Sequence, residues 1–79
     1  MRLIKSLKAT DRYFLECYFE DGSKRHADIK PYLKSEAFQW LQDINNFKQV
    51  RNNHYFVSWK NEEIDLSADT LWHIGKVVD

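Results

Sequence analysis

The chain has 79 residues, enough for one domain whose core buries roughly 60–65% of the unfolded chain's surface; with 43% apolar and 15% aromatic residues it can fill that core and is not expected to be disordered. Its one cysteine, Cys17, excludes an intrachain disulfide and a cysteine-rich zinc site, which favours a reducing, cytoplasmic setting. Formal net charge is zero, with eight basic and five acidic side chains in residues 1–34 against four and seven in residues 35–79, a mild dipole rather than the concentrated basic face of a nucleic-acid-binding domain.

Residues 3–8 have the period of a strand, although both of its faces hold an apolar residue. A turn at residues 9–12 leads to an aromatic-rich strand, residues 13–19, which ends at Asp21-Gly22, a strong hairpin signal. A two-residue loop would set Leu15 opposite Asp28 and Cys17 opposite His26. A three-residue loop, Glu20-Asp21-Gly22 with Gly22 left-handed, sets Tyr13 opposite Ile29 and Leu15 opposite Ala27, which keeps apolar residues on one face. The second register is the one predicted, with Leu15, Cys17 and Phe19 facing the core.

Pro31 ends the next strand near Ile29. Ser35 as N-cap and Glu36 in the first turn predict an α-helix that buries Ala37, Phe38, Leu41 and Ile44 and stops at Asn45-Asn46. Trp40 falls about 100° off that stripe, either at its boundary or exposed. Residues 47–51 and 55–59 predict a second hairpin with a two-residue turn at Asn52-Asn53, so that Val50 faces Tyr55 and the side chains of Tyr55, Val57 and Trp59 share a core face. After a turn at residues 60–63, the short strand Ile64-Asp65-Leu66 runs into a last helix. Ser67 caps it, Asp69 lies in its first turn, Leu66 and Leu71 form a hydrophobic staple, and Gly75 stops it. Such a short helix must pack on the sheet, here through Leu71, Trp72 and Ile74.

Chemistry-bearing constellations are sparse. Cys17 lies mid-strand on the inward face and reads as an inert buried thiol. His26, His54 and His73 lack the spacing of a zinc site. The acidic group Glu62, Glu63, Asp65 and Asp69 lacks the ligand positions and turning glycine of a calcium loop. Two glycines, Gly22 and Gly75, cannot make a glycine-rich phosphate loop. No run reaches the roughly 18 apolar residues of a membrane span, and the first eight residues lack the apolar centre of a secretory signal. The three tryptophans admit two readings: structural, or partly exposed and suited to a protein interface.

Tyr13-x-Leu15-x-Cys17-x-Phe19-x-Asp21-Gly22, Asp28-Ile29-Lys30-Pro31-Tyr32-Leu33, Phe38-x-x-Leu41, Phe47-x-x-Val50, Trp59 and Asp65-Leu66-Ser67-x-Asp69-x-Leu71 together resemble the small bacterial domain-of-unknown-function family 2442 (DUF2442) from residue 3 to about residue 74. The resemblance implies a compact α+β domain of no established activity, many of whose members are encoded beside another small protein in loci resembling toxin and antitoxin pairs. One departure stands out. After its tryptophan the family usually has Pro-Asn-Gly, where this chain has Lys60-Asn61-Glu62, so Asn61 is expected to take a left-handed conformation.

The sequence thus predicts a single α+β domain over residues 1–79, a small antiparallel sheet of hairpins with two short helices packed on it. The expected role is a cytoplasmic, non-catalytic protein-interaction domain without metal or cofactor, the antitoxin-like or accessory member of a pair. Its partner would be a small neighbouring gene product or a second copy, bound through Trp40, Trp59, Asn61, Asp65 and Trp72. Two alternatives remain at this stage. One is nucleic-acid binding through Arg2, Lys5, Lys8, Lys24 and Arg25; the other is small-ligand binding without catalysis, in a pocket between protomers.

Overall fold

The computed structural model describes residues 2–78. Seven strands form two antiparallel sheets, joined by short helical segments. The first sheet has the order β1-β2-β3-β7, with β1 Ile4–Ala9, β2 Phe14–Phe19, β3 Lys24–Asp28 and β7 Lys76–Val77. The second has the order β4-β5-β6, with β4 Arg51–Asn52, β5 Phe56–Trp59 and β6 Ile64–Ser67. The architecture is α+β as expected, but with two sheets instead of one.

The β2–β3 hairpin has the predicted register. Leu15 pairs with Ala27, the Ile29 N–H donates to the Tyr13 carbonyl at 2.9 Å, and Gly22 is left-handed at φ 89°. Leu15, Cys17 and Phe19 are all buried. In β1 the pairing shifts between Ile4↔Phe19 and Ser6↔Tyr18, so Lys5 is the extra residue of a bulge. That bulge explains the apolar residues on both faces of the sequence pattern: Ile4 and Leu7, an odd number of positions apart, come to the same face, opposite Phe19 and Cys17.

The stretch from Lys30 to Phe47 differs from expectation. Instead of one α-helix, two 3-10 stretches, Lys30–Lys34 and Glu36–Gln42, are followed by a one-turn helix α1, Ile44–Phe47. Ser35 stands at the N-cap position of the second stretch but makes no side-chain cap. Asp43 is the residue that caps, accepting from the Asn45 N–H at 2.9 Å. This local bond competes with helix continuation, so the chain restarts at Ile44, and Asn45 and Asn46 lie inside α1 rather than ending a helix. In 3-10 geometry Phe38 and Leu41 still share a face, and Leu41 is fully buried.

The β4–β5 hairpin is also longer in the loop than predicted. Arg51 pairs with Ser58 and Asn52 with Val57, leaving residues 53–55 as the loop, with His54 at φ 71°. The register moves by four positions, an even number, so the side chains of Val57 and Trp59 still face the core while Tyr55 is carried out of it to 55% exposure. Two hydrogen bonds fix the wider loop: the Asn52 side chain accepts from the His54 N–H at 2.8 Å, and the buried Ser58 hydroxyl donates to Asn53 Oδ1 at 2.7 Å.

The last helix, α2, spans Ala68–Ile74 and starts as predicted, with the Ser67 hydroxyl accepting from the Thr70 N–H at 3.0 Å. Leu66 and Leu71 both join the core, whereas Ile74 is 37% exposed. Beyond the helix the chain turns at Gly75 and pairs with β3 as β7, Arg25 opposite Val77 and His26 opposite Lys76. This strand was not expected. Space dictates the glycine: a Cβ there would sit 2.7 Å from the Leu71 carbonyl oxygen and 2.9 Å from Arg25 Cβ.

The core lies between the sheets and the helical segments. Ile4, Leu15, Phe19 and Ile29 come from the first sheet side, Val57, Trp59 and Leu66 from the second, and Leu41, Phe47 and Leu71 from the helical segments. The sheets meet at Ile4. Its N–H donates to the His54 carbonyl at 2.8 Å, and its carbonyl is approached by Asn52 Nδ2 at 3.1 Å and His54 Nδ1 at 2.9 Å. The opposite face of the first sheet carries the cross-strand row Lys8, Glu16, His26 and Lys76, in which His26 Nε2 lies 3.9 Å from Glu16 Oε2 and is buried without a hydrogen-bond partner.

Candidate protein-interaction site

Trp72 organises the most densely functionalised part of the surface. On α2 it follows Leu71, the buried anchor of the helix, and one residue is a rotation of about 100°, which brings the indole to the rim of the core, half-buried. Guanidinium carbons lie 3.7 Å (Arg2) and 3.8 Å (Arg25) from its ring centroid. Two groups that close to one ring must occupy opposite faces, so the indole is stacked on both sides by cations. Its N–H donates to Asp21 Oδ2 at 2.9 Å.

The two arginines are held differently. Arg25 comes from the core-facing side of β3, opposite Cys17. Its Nη1 donates to the carbonyls of Trp72 (3.3 Å) and Gly75 (3.4 Å), and its Nε to Ser23 Oγ at 3.3 Å. Arg2 approaches only the exposed Asp69, Nε to Oδ1 at 3.5 Å, among the described residues. Asp21 is a firm anion. Hydrogen bonds from the Ser23 hydroxyl and backbone N–H, then from Trp72, hold its carboxyl down to about 2.

Two cavities flank this cluster, and Arg2 lines both. One, of about 230 Å³, is bounded by Leu3, Phe19, Glu20 and Asp21; the other, of about 500 Å³, by Tyr55, Ser67 and Asp69. The surface thus combines three aromatics (Phe19, Tyr55 and Trp72), three carboxylates and one loosely held cation.

The chain matches the model of a family described as proteins of unknown function, DUF2442, over residues 4–77. It belongs to that family. No curated protein and no solved structure matches it.

Within this DUF2442 chain the five residues singled out in the sequence do not come together. Trp59 is fully buried, its indole N–H donating to the Phe47 carbonyl at 2.8 Å and its ring stacked on Phe47; it has no surface to present and acts from inside the core. Trp40 is half-buried against the core, with Lys60 Nζ 5.8 Å from its ring. Asn61 and Asp65 are exposed on and beside the β5–β6 turn. In that turn Lys60, Asn61 and Glu62 are all left-handed, at φ 52°, 54° and 67°, so the distortion expected at Asn61 extends to both neighbours. A proline at position 60 would need φ near −65°, which the left-handed Lys60 does not offer. Trp72 alone of the five lies among convergent charged groups.

The sequence marks Arg2 and Arg25 only as candidate phosphate contacts of the nucleic-acid alternative, and it does not mark Asp21 or Tyr55 as surface groups of a site. Arg25 had a signal: strand alternation puts it on the face of Ala27 and Ile29, where a charged residue calls for a partner. Asp21 was read only as a turn residue, and Tyr55 as core. The basic set Arg2, Lys5, Lys8, Lys24 and Arg25 does not form one face, since Arg2 and Arg25 stack on Trp72 while Lys8 and Lys24 project from the other side of the first sheet. Burial pushes the Cys17 thiol up to about 12, leaving it unreactive. Among the described residues no three His, Cys, Asp or Glu side chains are grouped to hold a metal ion, and no helix is long and apolar enough to cross a membrane.

Proposed function

We propose that this DUF2442 protein is a non-catalytic protein-interaction domain that engages a protein partner at the Trp72 surface. The observation that carries the reading is the environment of Trp72: a rim tryptophan covered by Arg2, the residue that lines both cavities, with Tyr55 and the carboxylates of Glu20, Asp21 and Asp69 along them. Tryptophan and tyrosine dominate the energetics of protein interfaces because they bury large, rigid, amphipathic surfaces at low entropic cost. The finer reading, an antitoxin-like or accessory member of a two-protein pair, rests on the family resemblance, and the compartment expected for it is the cytoplasm.

Co-expression with the neighbouring gene product, followed by size-exclusion chromatography, tests the proposal. A single co-eluting species that is weakened by Tyr55→Ala is the expected result. Two independent peaks would contradict it. The basic side chains lie on two sides of the first sheet, which favours the interaction reading over the nucleic-acid alternative.

A further inference from the structure

The unequal anchoring of the two arginines suggests what the Trp72 surface recognises. Arg25 belongs to the fold: three hydrogen bonds tie it to Ser23 in the β2–β3 loop, to α2 and to the Gly75 turn. Arg2 covers the other face of the same indole with the stack and one exposed ion pair to Asp69 as its attachments among the described residues. Exposed ion pairs of that kind add little stability. The contact is therefore favourable in geometry and weak in hold.

We infer that Arg2 is a displaceable stand-in, and that the Trp72 surface recognises an arginine side chain presented by a partner protein. This rests on the interaction reading above. Arg2 stands between the cavities of about 230 Å³ and about 500 Å³ and lines each, so rotation of its side chain into solvent joins them into one groove across the free face of the indole. Phe19 and Tyr55 line the two cavities, the indole of Trp72 lies under Arg2 beside them, and the carboxylates there are Glu20, Asp21 and Asp69. This chemistry selects a planar cation that stacks on the ring while its N–H groups reach a carboxylate; an ammonium lacks the plane, and an anion is repelled. Asp21 stays ionised at neutral pH and accepts the indole N–H, which adds to the negative potential over the ring. The resident Arg2 competes with the incoming group, so the free protein pays for opening with the loss of a weak contact only.

The test uses the full chain, wild type and Arg2→Ala, titrated with acetyl-Ala-Arg-Ala-amide and with the same peptide carrying uncharged, isosteric citrulline in place of arginine. The Trp72 indole N–H resonance is the readout. The arginine peptide should shift that resonance and bind Arg2→Ala about fivefold more tightly than wild type, because a competing internal state has been removed. The citrulline peptide should shift neither. Adding Asp69→Asn to Arg2→Ala should weaken the arginine peptide again. Equal affinity for the two proteins, equal response to the two peptides, or no shift with either would overturn the inference. Arg2→Gln serves in place of Arg2→Ala if the latter loses its fold by circular dichroism. The peptide titration decides the stand-in, and the co-expression result decides the interaction reading independently.

Discussion

The indole N–H of Trp59 donates to the carbonyl of Phe47 at 2.8 Å, with the two rings stacked at a centroid distance of 6.0 Å. The bond joins the end of α1 to the middle strand of the second sheet, and it satisfies a carbonyl at the helix C-terminus that has no partner in the next turn. Trp59→Phe keeps an aromatic ring but removes the donor and leaves space behind. We expect it to lower unfolding free energy in urea by about 2–3 kcal/mol. A loss under about 0.5 kcal/mol, the range of ordinary surface substitutions, would mean that the bond and the packing are dispensable.

Gly75→Ala tests the close approach at the α2–β7 turn. The backbone of Gly75 is not left-handed, so the cost comes from the missing space beside the Leu71 carbonyl and Arg25 Cβ. A loss of about 1–3 kcal/mol is expected. Faster hydrogen exchange at the Val78 N–H, which bonds to the Lys24 carbonyl at 2.9 Å, should accompany it, because β7 is pushed from β3.

The left-handed turn makes opposite predictions for neighbouring residues. Glu62→Gly relieves a side chain held at φ 67° and should stabilise the protein by about 0.5–1 kcal/mol. Lys60→Pro should destabilise it, since the ring cannot reach φ 52°. Thermal melts of the two variants on either side of wild type would confirm the turn; a stabilising Lys60→Pro would contradict it.

How much of this was legible in the sequence follows from the range of the forces involved. The β2–β3 register and the Ser67 cap were readable because a turn glycine, a cap hydroxyl and two-residue alternation act over a few neighbouring positions. The bulge at Lys5 was visible only as an anomaly, an apolar residue on each face of β1. The 3-10 stretches were hidden because Phe38 and Leu41 fit both helical periods, and Asp43 decides between them by a bond to the Asn45 N–H. Tyr55 left the core because Asn52, Asn53 and Ser58 favour a longer loop through side-chain bonds that alternation does not encode. The Trp72 cluster joins residues some 50 positions apart in sequence, Asp21 and Arg25 with Trp72, and no local pattern announces such a meeting.

The Asp21–Trp72 bond gives a pH prediction with a definite sign. The Asp21 carboxyl is held below its ordinary value of 3.8, at about 2, so its contribution is complete above about pH 4 and is lost as pH falls through the folded value. The Trp72 indole resonance should hold its position from neutral pH to about pH 4 and then move with a midpoint of about 2. A midpoint above 3.8 would show that the carboxylate is not the acceptor.

Cys17 offers a clock for opening. Buried, and with its thiol raised to about 12, it should react with iodoacetamide at neutral pH only when the core is exposed. Labelling should therefore accelerate in step with urea unfolding, and reaction of the native protein at the rate of a free thiol would contradict its burial.

The peptide groups of Ile4 carry a consequence for how the molecule comes apart. The N–H and carbonyl of one residue complete the contacts of a loop 50 positions away, so the first strand cannot peel from its neighbour without also releasing the second sheet. Neither half keeps a refuge of its own. Folding must wait for the late-sequence hairpin to find the earliest strand, and the whole chain should melt in one cooperative step, with the amides of β2 and β5 exchanging at the same global rate.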